Sequence, residues 1–187
     1  MKNAGYWIKN LCLRKHPEGG YFRETYAAKD EIDVCCLKSG YDGPRPVSTA
    51  IYFVLPGNEF STFHRLRSDE IWHHYDGAAL TIHILAQDGG YRKIVLGPDY
   101  ENGERPQVLV PAGVWFAAHV NHKNSFTLSG CTVAPGFNFK DFELGRRAEL
   151  VKEYPEYEQL IVQLTRRKSI TLSHPEQAPQ KFRPDLL

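Results

Sequence analysis

The sequence contains no apolar run long enough to span a bilayer, and its first ten residues lack the hydrophobic stretch of a signal peptide. Neither sign of charge is in excess, because 23 Lys and Arg face 22 Asp and Glu and the formal net charge is +1. This balance gives no electrostatic reason to expect nucleic acid or a membrane surface as a partner. We therefore expect a soluble, cytoplasmic protein.

Cysteine is also scarce in this chain. The four cysteines show neither a C-x-x-C motif nor the Cys/His spacing of a zinc site. They are Cys12, Cys35, Cys36 and Cys131. The sequence therefore gives no support for structural zinc, and we expect the thiols to be reduced.

The length of 187 residues is that of one domain with one sizeable core. Residues 167–187 carry three prolines and little apolar periodicity, so we expect a poorly ordered C-terminal tail there. Residues 1–166 are expected to form a single domain, because they show neither an internal repeat nor a linker.

The periodicity of the apolar residues changes twice along the chain. Residues 4–14 have helical spacing until Pro17, and helical spacing returns after Gly145 and again after Pro155. Between these segments, short runs rich in β-branched and aromatic residues alternate with turn signals, which predicts an all-β domain. The expected strands are Val47–Leu55, Phe60–His64, Glu70–Tyr75, Leu80–Leu85, Tyr91–Leu96, Val108–Val110, Trp115–Val120 and Phe126–Val133.

Polar residues gather on two of these expected strands. Strand alternation places Thr62 and His64 on one face, and Glu70, Trp72 and His74 on one face of the next strand. If the two strands pair, the His64 ring and the Glu70 carboxyl group lie close together. This pair either lines a cavity or forms a satisfied part of the core, and an ion pair of Glu70 with Arg65 or Arg23 is the alternative for the carboxylate.

Two segments resemble the two halves of the cupin signature. The chain keeps the interval Glu70-x6-Gly77 and the pattern Gly103-x7-Pro111-x-Gly113. In metal-binding cupins, histidines stand where this chain has Thr62 and Phe116. We therefore predict neither a full metal site nor another cofactor.

Longer motifs resemble a cupin family that is catalogued as a domain of unknown function and is often labelled predicted sugar epimerase. They are His16-Pro-Glu-Gly-Gly-Tyr-Phe-Arg-Glu-Thr-Tyr26, Ser48–Phe53, Phe63–Gly77, Val110–Phe116 and Gly130–Glu143. The resemblance implies a cupin double-stranded β-helix, or jelly roll, with a short N-terminal helix and C-terminal helices. It also implies a homodimer, and the apolar segment Tyr21–Ala27 is a candidate for pairing with a second chain.

Analogy with the rhamnose-pathway sugar epimerases implies candidate catalytic roles. His64 occupies the place of their base, Glu70 is the candidate for its orienting group, and Tyr75 or Tyr52 is the candidate acid. A ligand would be held by aromatic and polar side chains around the barrel interior and mouth. The candidates are Glu24, Thr25, Tyr52, Thr62, Arg65, Trp72, His74, Trp115 and Phe116.

Three functions remain open at this point. The first is an epimerase or isomerase that moves a carbon-bound proton of a sugar or nucleotide-sugar through His64. The second is a non-catalytic module that holds a small polar ring between Trp72, Trp115 and Arg65. The third is a metal-dependent oxygenase with His64, Glu70 and either His74 or His119 as ligands.

Overall fold

A computed structural model describes residues 2–166 of the chain, and the predicted tail 167–187 lies outside the described residues. The helices are α1 (Ala4–Asn10), α2 (Arg147–Glu153) and α3 (Glu158–Gln163). The strands are β1 (Arg14–Lys15), β2 (Tyr21–Ala27), β3 (Glu31–Ile32), β4 (Arg45–Pro46), β5 (Thr49–Pro56), β6 (Phe60–Leu66), β7 (Asp69–Gly77), β8 (Leu80–Leu85), β9 (Tyr91–Leu96), β10 (Gln107–Val110), β11 (Trp115–Val120), β12 (Phe126–Ala134) and β13 (Phe142–Leu144). None of the described helices is long and apolar enough to cross a membrane.

Two antiparallel sheets form the body of the fold. One has the order β1-β2-β5-β12-β7-β10, and the other has the order β13-β6-β11-β8-β9. The short strands β3 and β4 pair separately. The predicted all-β class is confirmed, and each of the eight expected strands corresponds to an observed one.

The core lies between the inner faces of the two sheets. Side chains that alternate inward along the strands, including Phe53, Trp72, Ile82 and Phe116, are almost fully buried there. Removing this apolar surface from water is the main stabilising contribution, at about 25 cal/mol per Å².

Helices cover the outer faces of both sheets. Leu150 and Ile161, from α2 and α3, pack on Phe63 and Leu85 of the five-stranded sheet. On the six-stranded sheet, Trp7 of α1 packs against the cluster that contains Val54 and Leu128. Helix α1 begins with Asn3 as N-cap, whose side chain accepts from the Tyr6 N–H, and it ends at Asn10, earlier than the expected residue 14.

A β-bulge in β6 changes which side chains face inward. Along β11 the register moves two residues, from Phe116 to Ala118, while along β6 it moves three, from His64 to Ser61. One extra residue in a strand interrupts the alternation of side chains. Ser61 and His64 consequently face the same side, although their separation in sequence is odd.

Candidate functional site

A cavity of about 550 Å³ is lined by side chains of both sheets. Its polar lining includes His16, Glu18, His64 and Glu70. Its apolar lining is rich in aromatic rings, which are Phe22, Phe53, Trp72, Phe137, Phe139 and Phe142. This volume and this combination of aromatic rings with convergent polar groups are typical of a small-molecule site.

Glu18 reaches the cavity because of a tight turn between β1 and β2. Gly19 and Gly20 have φ values of 121° and 67°, a region that favours glycine. A Cβ atom on Gly19 would lie 2.2 Å from the carbonyl oxygen of Phe60, so glycine is also required for the close approach to β6. The Thr62 N–H then donates to the Glu18 carbonyl over 2.9 Å, which fixes the turn against the strand.

The Glu18 carboxylate is buried and fully surrounded by polar partners. The Ser61 hydroxyl donates to its Oε1 over 2.9 Å, and its Oε2 lies 3.1 Å from Nε2 of His64 and 3.3 Å from Nδ1 of His16. Burial alone would raise the pKa of Glu18, but the charges of His64 and His16 and the hydrogen bonds from His16 and Ser61 lower it to about 2. Glu18 is therefore ionised at neutral pH.

His64 and Glu18 face each other at a position that can hold one proton. Nδ1 of His64 lies 2.7 Å from the carbonyl oxygen of Thr62, which can only accept, so Nδ1 carries a hydrogen. Nε2 of His64 lies 3.1 Å from Oε2 of Glu18, so a proton that the pair takes up is held between these two atoms. Burial lowers the pKa of His64, while Glu18 and the Thr62 carbonyl act in the opposite direction. The pair can therefore take up a proton and give it back.

Glu70 has the opposite protonation state in the same cavity. Its Oε2 accepts from the Trp72 indole N–H over 2.8 Å, and its surroundings are otherwise largely apolar. Burial, and secondly the negative charge of Glu18, raise the pKa of Glu70 to about 8. The group is therefore mostly a neutral carboxylic acid at neutral pH and can donate a proton.

The structure corrects the expected partners of these groups. His64 is oriented by Glu18 and the Thr62 carbonyl rather than by Glu70. Glu70 forms no ion pair with Arg65, because Arg65 lies on the outer surface and pairs with Glu143 at 2.7 Å. The His64–Glu70 pair expected from strand alternation is replaced by two separate groups on one cavity wall, since the turn between β1 and β2 places Glu18 beside His64.

The expected acid residues lie outside the cavity. Tyr75 is 52% exposed on the outer face of the six-stranded sheet, where its ring lies across Gly130 and 6.1 Å from the ring of Tyr52. Neither hydroxyl group faces His64. Tyr75 is the extra residue of a bulge in β7 opposite Leu128 and Ser129. Glu70 is instead the carboxyl group on the cavity wall.

The expected ligand-binding residues divide into two groups. Trp72 and Glu24 line the cavity. Phe116 does not line it, but its ring packs 4.0 Å from that of His64. The remaining candidates do not line the cavity. The hydroxyls of Thr25 and Thr62 donate to the backbone carbonyls of Ala50 and Leu164, and Arg65 covers the Trp115 ring at 4.3 Å on the outer face. Nε2 of His74 is buried without a hydrogen-bond partner among residues 2–166.

Sequence reasoning missed His16, Glu18 and Ser61 as site residues. His16 and Glu18 stand in a turn, and a turn has no periodicity that assigns its side chains to a cavity. A carboxylate directly before a glycine pair, in a segment that also carries a histidine, was the available signal. Ser61 was hidden because the bulge in β6 reverses the alternation between it and His64.

The residues of the cavity do not fit a resident metal ion. Thr62 and Phe116 supply no metal ligand to the cavity. The Thr62 hydroxyl donates to the Leu164 backbone carbonyl, and the Phe116 side chain is apolar. Across residues 2–166, no three His, Cys, Asp or Glu side chains are arranged to hold one ion. His119, a candidate ligand in the oxygenase hypothesis, lies on the outer face of β11 and contacts His83 rather than His64.

Comparison with solved structures finds two that are similar to this chain in both sequence and fold, and a third that is similar in fold alone. A Shewanella oneidensis protein is 39% identical, and the alignment covers 90% of this chain and 100% of that chain with a TM-score of 0.81. A hypothetical protein from Leishmania major is 34% identical, with coverages of 88% and 99% and a TM-score of 0.81. A cupin 2 domain-containing protein from Halorhodospira halophila is 12% identical over 83% of this chain and 89% of that chain, with a TM-score of 0.51, and so supports the fold alone.

Sequence comparisons agree with the structural ones. An uncharacterized protein of Saccharomyces cerevisiae is 34% identical over 144 residues, which are 72% of this chain and 71% of the yeast protein. Residues 5–145 match the family model described as Cupin superfamily (DUF985). The chain therefore belongs to this DUF985 family of the cupin superfamily.

Proposed function

We propose that the cavity catalyses proton transfer on a sugar or nucleotide-linked sugar, as an epimerase or isomerase does. One observation carries this proposal: two buried carboxyl groups of one cavity have pKa values of about 2 and about 8. Groups whose surroundings separate their pKa values in this way are suited to act as base and acid at the same pH. Glu18 with His64 is the base, and Glu70 is the acid.

The proposed step is the removal of a proton from the carbon next to a carbonyl group. The proton passes to the Glu18–His64 pair, where it is held between Oε2 and Nε2. Electrons of the broken C–H bond move to the carbonyl oxygen, which takes the proton of the Glu70 carboxyl group. Return of a proton to carbon gives the epimer or the isomer, and both carboxyl groups regain their starting states.

The cavity wall suits a carbohydrate ring. Aromatic faces such as those of Phe53 and Trp72 pack well on the C–H faces of a sugar, and the buried acid groups can hold its hydroxyls. Arg14 and Arg23 line the cavity near Glu24, on the strands next to the glycine turn. Guanidinium groups at this position would favour a phosphate, which supports a nucleotide-linked substrate.

Solvent deuterium exchange into a panel of nucleotide-linked keto-sugars tests this proposal. We expect the wild type to exchange a proton next to the keto group, and Glu18→Gln and Glu70→Gln to lower the rate by about 100-fold or more. Glu143→Gln is the matched control, because Glu143 is an exposed carboxylate paired with Arg65, and its rate should equal that of the wild type. Absence of exchange by the wild type across the panel would refute catalysis on this substrate class.

A non-catalytic binding module is the second candidate. Both nitrogens of His64 are engaged within the protein, by the Thr62 carbonyl and by Glu18, and this arrangement would also serve a rigid binding wall. Under this alternative, the same sugars should raise the melting temperature of the wild type without any deuterium exchange. Glu70→Gln should then alter binding while the exchange rate stays at background.

We also propose that the protein is a homodimer in the cytoplasm. Strand β1 pairs only with Tyr21 and Phe22 among the described residues, so the outer edge of β2 from Arg23 onward is open to a second chain. Four free cysteines support a reducing compartment. Light scattering at micromolar concentration should give the mass of two chains, and a monomer mass would contradict the dimer.

A further inference from the structure

Two histidines face each other on the outer side of the five-stranded sheet, away from the cavity. They are His83 on β8 and His119 on β11, and these strands are antiparallel neighbours in which His83 lies opposite Ala117 and His119 opposite Thr81. The side chains at these positions alternate with the core residues Ile82 and Ala118, so they point away from the sheet interior. The proposed reaction does not use either ring.

The two rings already have the spacing of a chelating pair. Nε2 of His83 lies 3.1 Å from Nδ1 of His119. Zinc–nitrogen bonds are about 2.0–2.1 Å long, so two such bonds at an angle between a right angle and the tetrahedral angle separate their nitrogens by about 2.8–3.4 Å. The nitrogens therefore already have the separation that a bound ion needs, and the two rings tilt to direct their lone pairs at an ion beside the line that joins them.

A third side chain orients one ring of the pair. Nδ1 of His83 lies 2.7 Å from the Tyr91 hydroxyl, and the Tyr91 ring stacks on that of His83. An Nδ1–H that donates to this hydroxyl leaves the Nε2 lone pair directed at His119. Metal-bound histidines in proteins are commonly held in this way by a hydrogen bond at the second ring nitrogen.

We propose that His83 and His119 form a two-point binding site for a divalent transition-metal ion of the imidazole-preferring type, such as Ni²⁺, Cu²⁺ or Zn²⁺. Water fills the remaining coordination positions, because no third His, Cys, Asp or Glu among residues 2–166 completes the set. The ion joins β8 to β11 and stabilises the folded state by binding to it preferentially. Mg²⁺, which prefers oxygen ligands, does not bind here.

The surroundings of the pair contain one favourable and one unfavourable feature. Burial, and secondly His119 and Lys93, lower the pKa of His83 to about 4, and burial with Lys93 lowers the pKa of His119. Both rings are therefore neutral ligands at pH 7. Lys93 lies opposite His83 on β9, and its positive charge opposes a cation at the pair. Neutralising Lys93 should consequently strengthen binding.

Calorimetric titration of the untagged full-length chain with Ni²⁺ tests the proposal. The background protein carries Cys35→Ser and Cys36→Ser, because these two exposed thiols would also bind the metal. We expect one saturable site, an affinity lower by about tenfold or more in His119→Gln, and a higher affinity in Lys93→Gln. His122→Gln is the matched control, because His122 is exposed on the loop after β11 and lies outside the pair. Ni²⁺ should also raise the melting temperature of the background protein but not that of His119→Gln.

Several outcomes would overturn the site. The first is that Mg²⁺ binds with the same affinity as Ni²⁺. The second is that His119→Gln and His122→Gln lose Ni²⁺ affinity equally, and the third is that His119→Gln keeps the Ni²⁺ affinity of the background protein. Circular dichroism checks that His119→Gln is folded. If it is not, Lys93→Gln decides, because an exposed lysine can be replaced without loss of the fold, and an affinity that does not rise there contradicts the proposal.

Discussion

Two buried carboxylates, each paired with a nitrogen base, differ in one respect that determines what each pair can do. Glu18 pairs with His64 on the cavity wall, whereas Asp141 pairs with Arg45 next to residues that line the cavity, through Nε–Oδ2 and Nη2–Oδ1 contacts of 2.6 Å and 2.9 Å. An arginine keeps its proton at every physiological pH, but a histidine does not. The first pair can therefore move a proton, and the second can only hold its shape.

The arginine pair connects two segments that line the cavity. Arg45 stands between Pro44 and Pro46, Asp141 stands within Phe139–Phe142, and both prolines and both phenylalanines line the cavity. The pair is bidentate and both side chains are more than nine-tenths buried. It therefore holds these two segments of the cavity wall together.

The largest expected effect comes from breaking the arginine pair. Asp141→Asn leaves the buried Arg45 charge without its main partner, so we expect the free energy of unfolding to fall by about 3–5 kcal/mol. Urea denaturation at pH 7 measures this loss. Asp42→Asn is the control, because Asp42 contacts the same guanidinium from an exposed position, and it should change stability little.

The next effect concerns Glu18 and acid pH. The pKa of Glu18 is about 2 in the folded protein and near its ordinary 4.5 when unfolded, so its stabilisation is complete above pH 4.5 and is lost as the pH falls toward 2. We expect this group to account for about 3 kcal/mol of acid destabilisation. Glu18→Gln should flatten the stability curve in that window, and an unchanged curve would contradict the role assigned to the carboxylate.

Glu70 should show the opposite dependence. Its pKa is about 8 when folded and near 4.5 when unfolded, so folding takes up a proton and stability falls as the pH rises from 4.5 to 8. Glu70→Gln needs no such proton and should be more stable than the wild type by about 1–3 kcal/mol at pH 8. The gain should vanish near pH 4. A variant that is less stable than the wild type at pH 8 would show that Glu70 is ionised and paired there.

The smallest effect sharpens the distinction between the cavity and the outer sheet face. Tyr75→Phe removes a hydroxyl that faces away from His64, so deuterium exchange should equal that of the wild type. Exchange assays on the purified variant check this. A loss comparable with that of Glu70→Gln would restore Tyr75 as the acid.

Strand positions were predictable from the sequence because burial of one face imposes a period of two on the side chains. The same reasoning identified His64, Glu70 and Trp72 as neighbours, and all three line the cavity. It failed at Ser61, where a bulge arises from pairing with β11 and therefore depends on residues far along the chain. Glu18 lies 46 positions before His64, and only the folded turn brings the two together.

The extra residue in β6 also bears on how this wall can change in related chains. A substitution at Ser61 or His64 alters one group, whereas deletion of a single residue between them would leave the two residues two positions apart in a regular strand, still on the same side. One codon lost from the gene would thus remove the bulge and keep both the hydroxyl and the imidazole on the side of Glu18. Homologues that differ by such a deletion should retain the same partners of this carboxylate on a straighter strand.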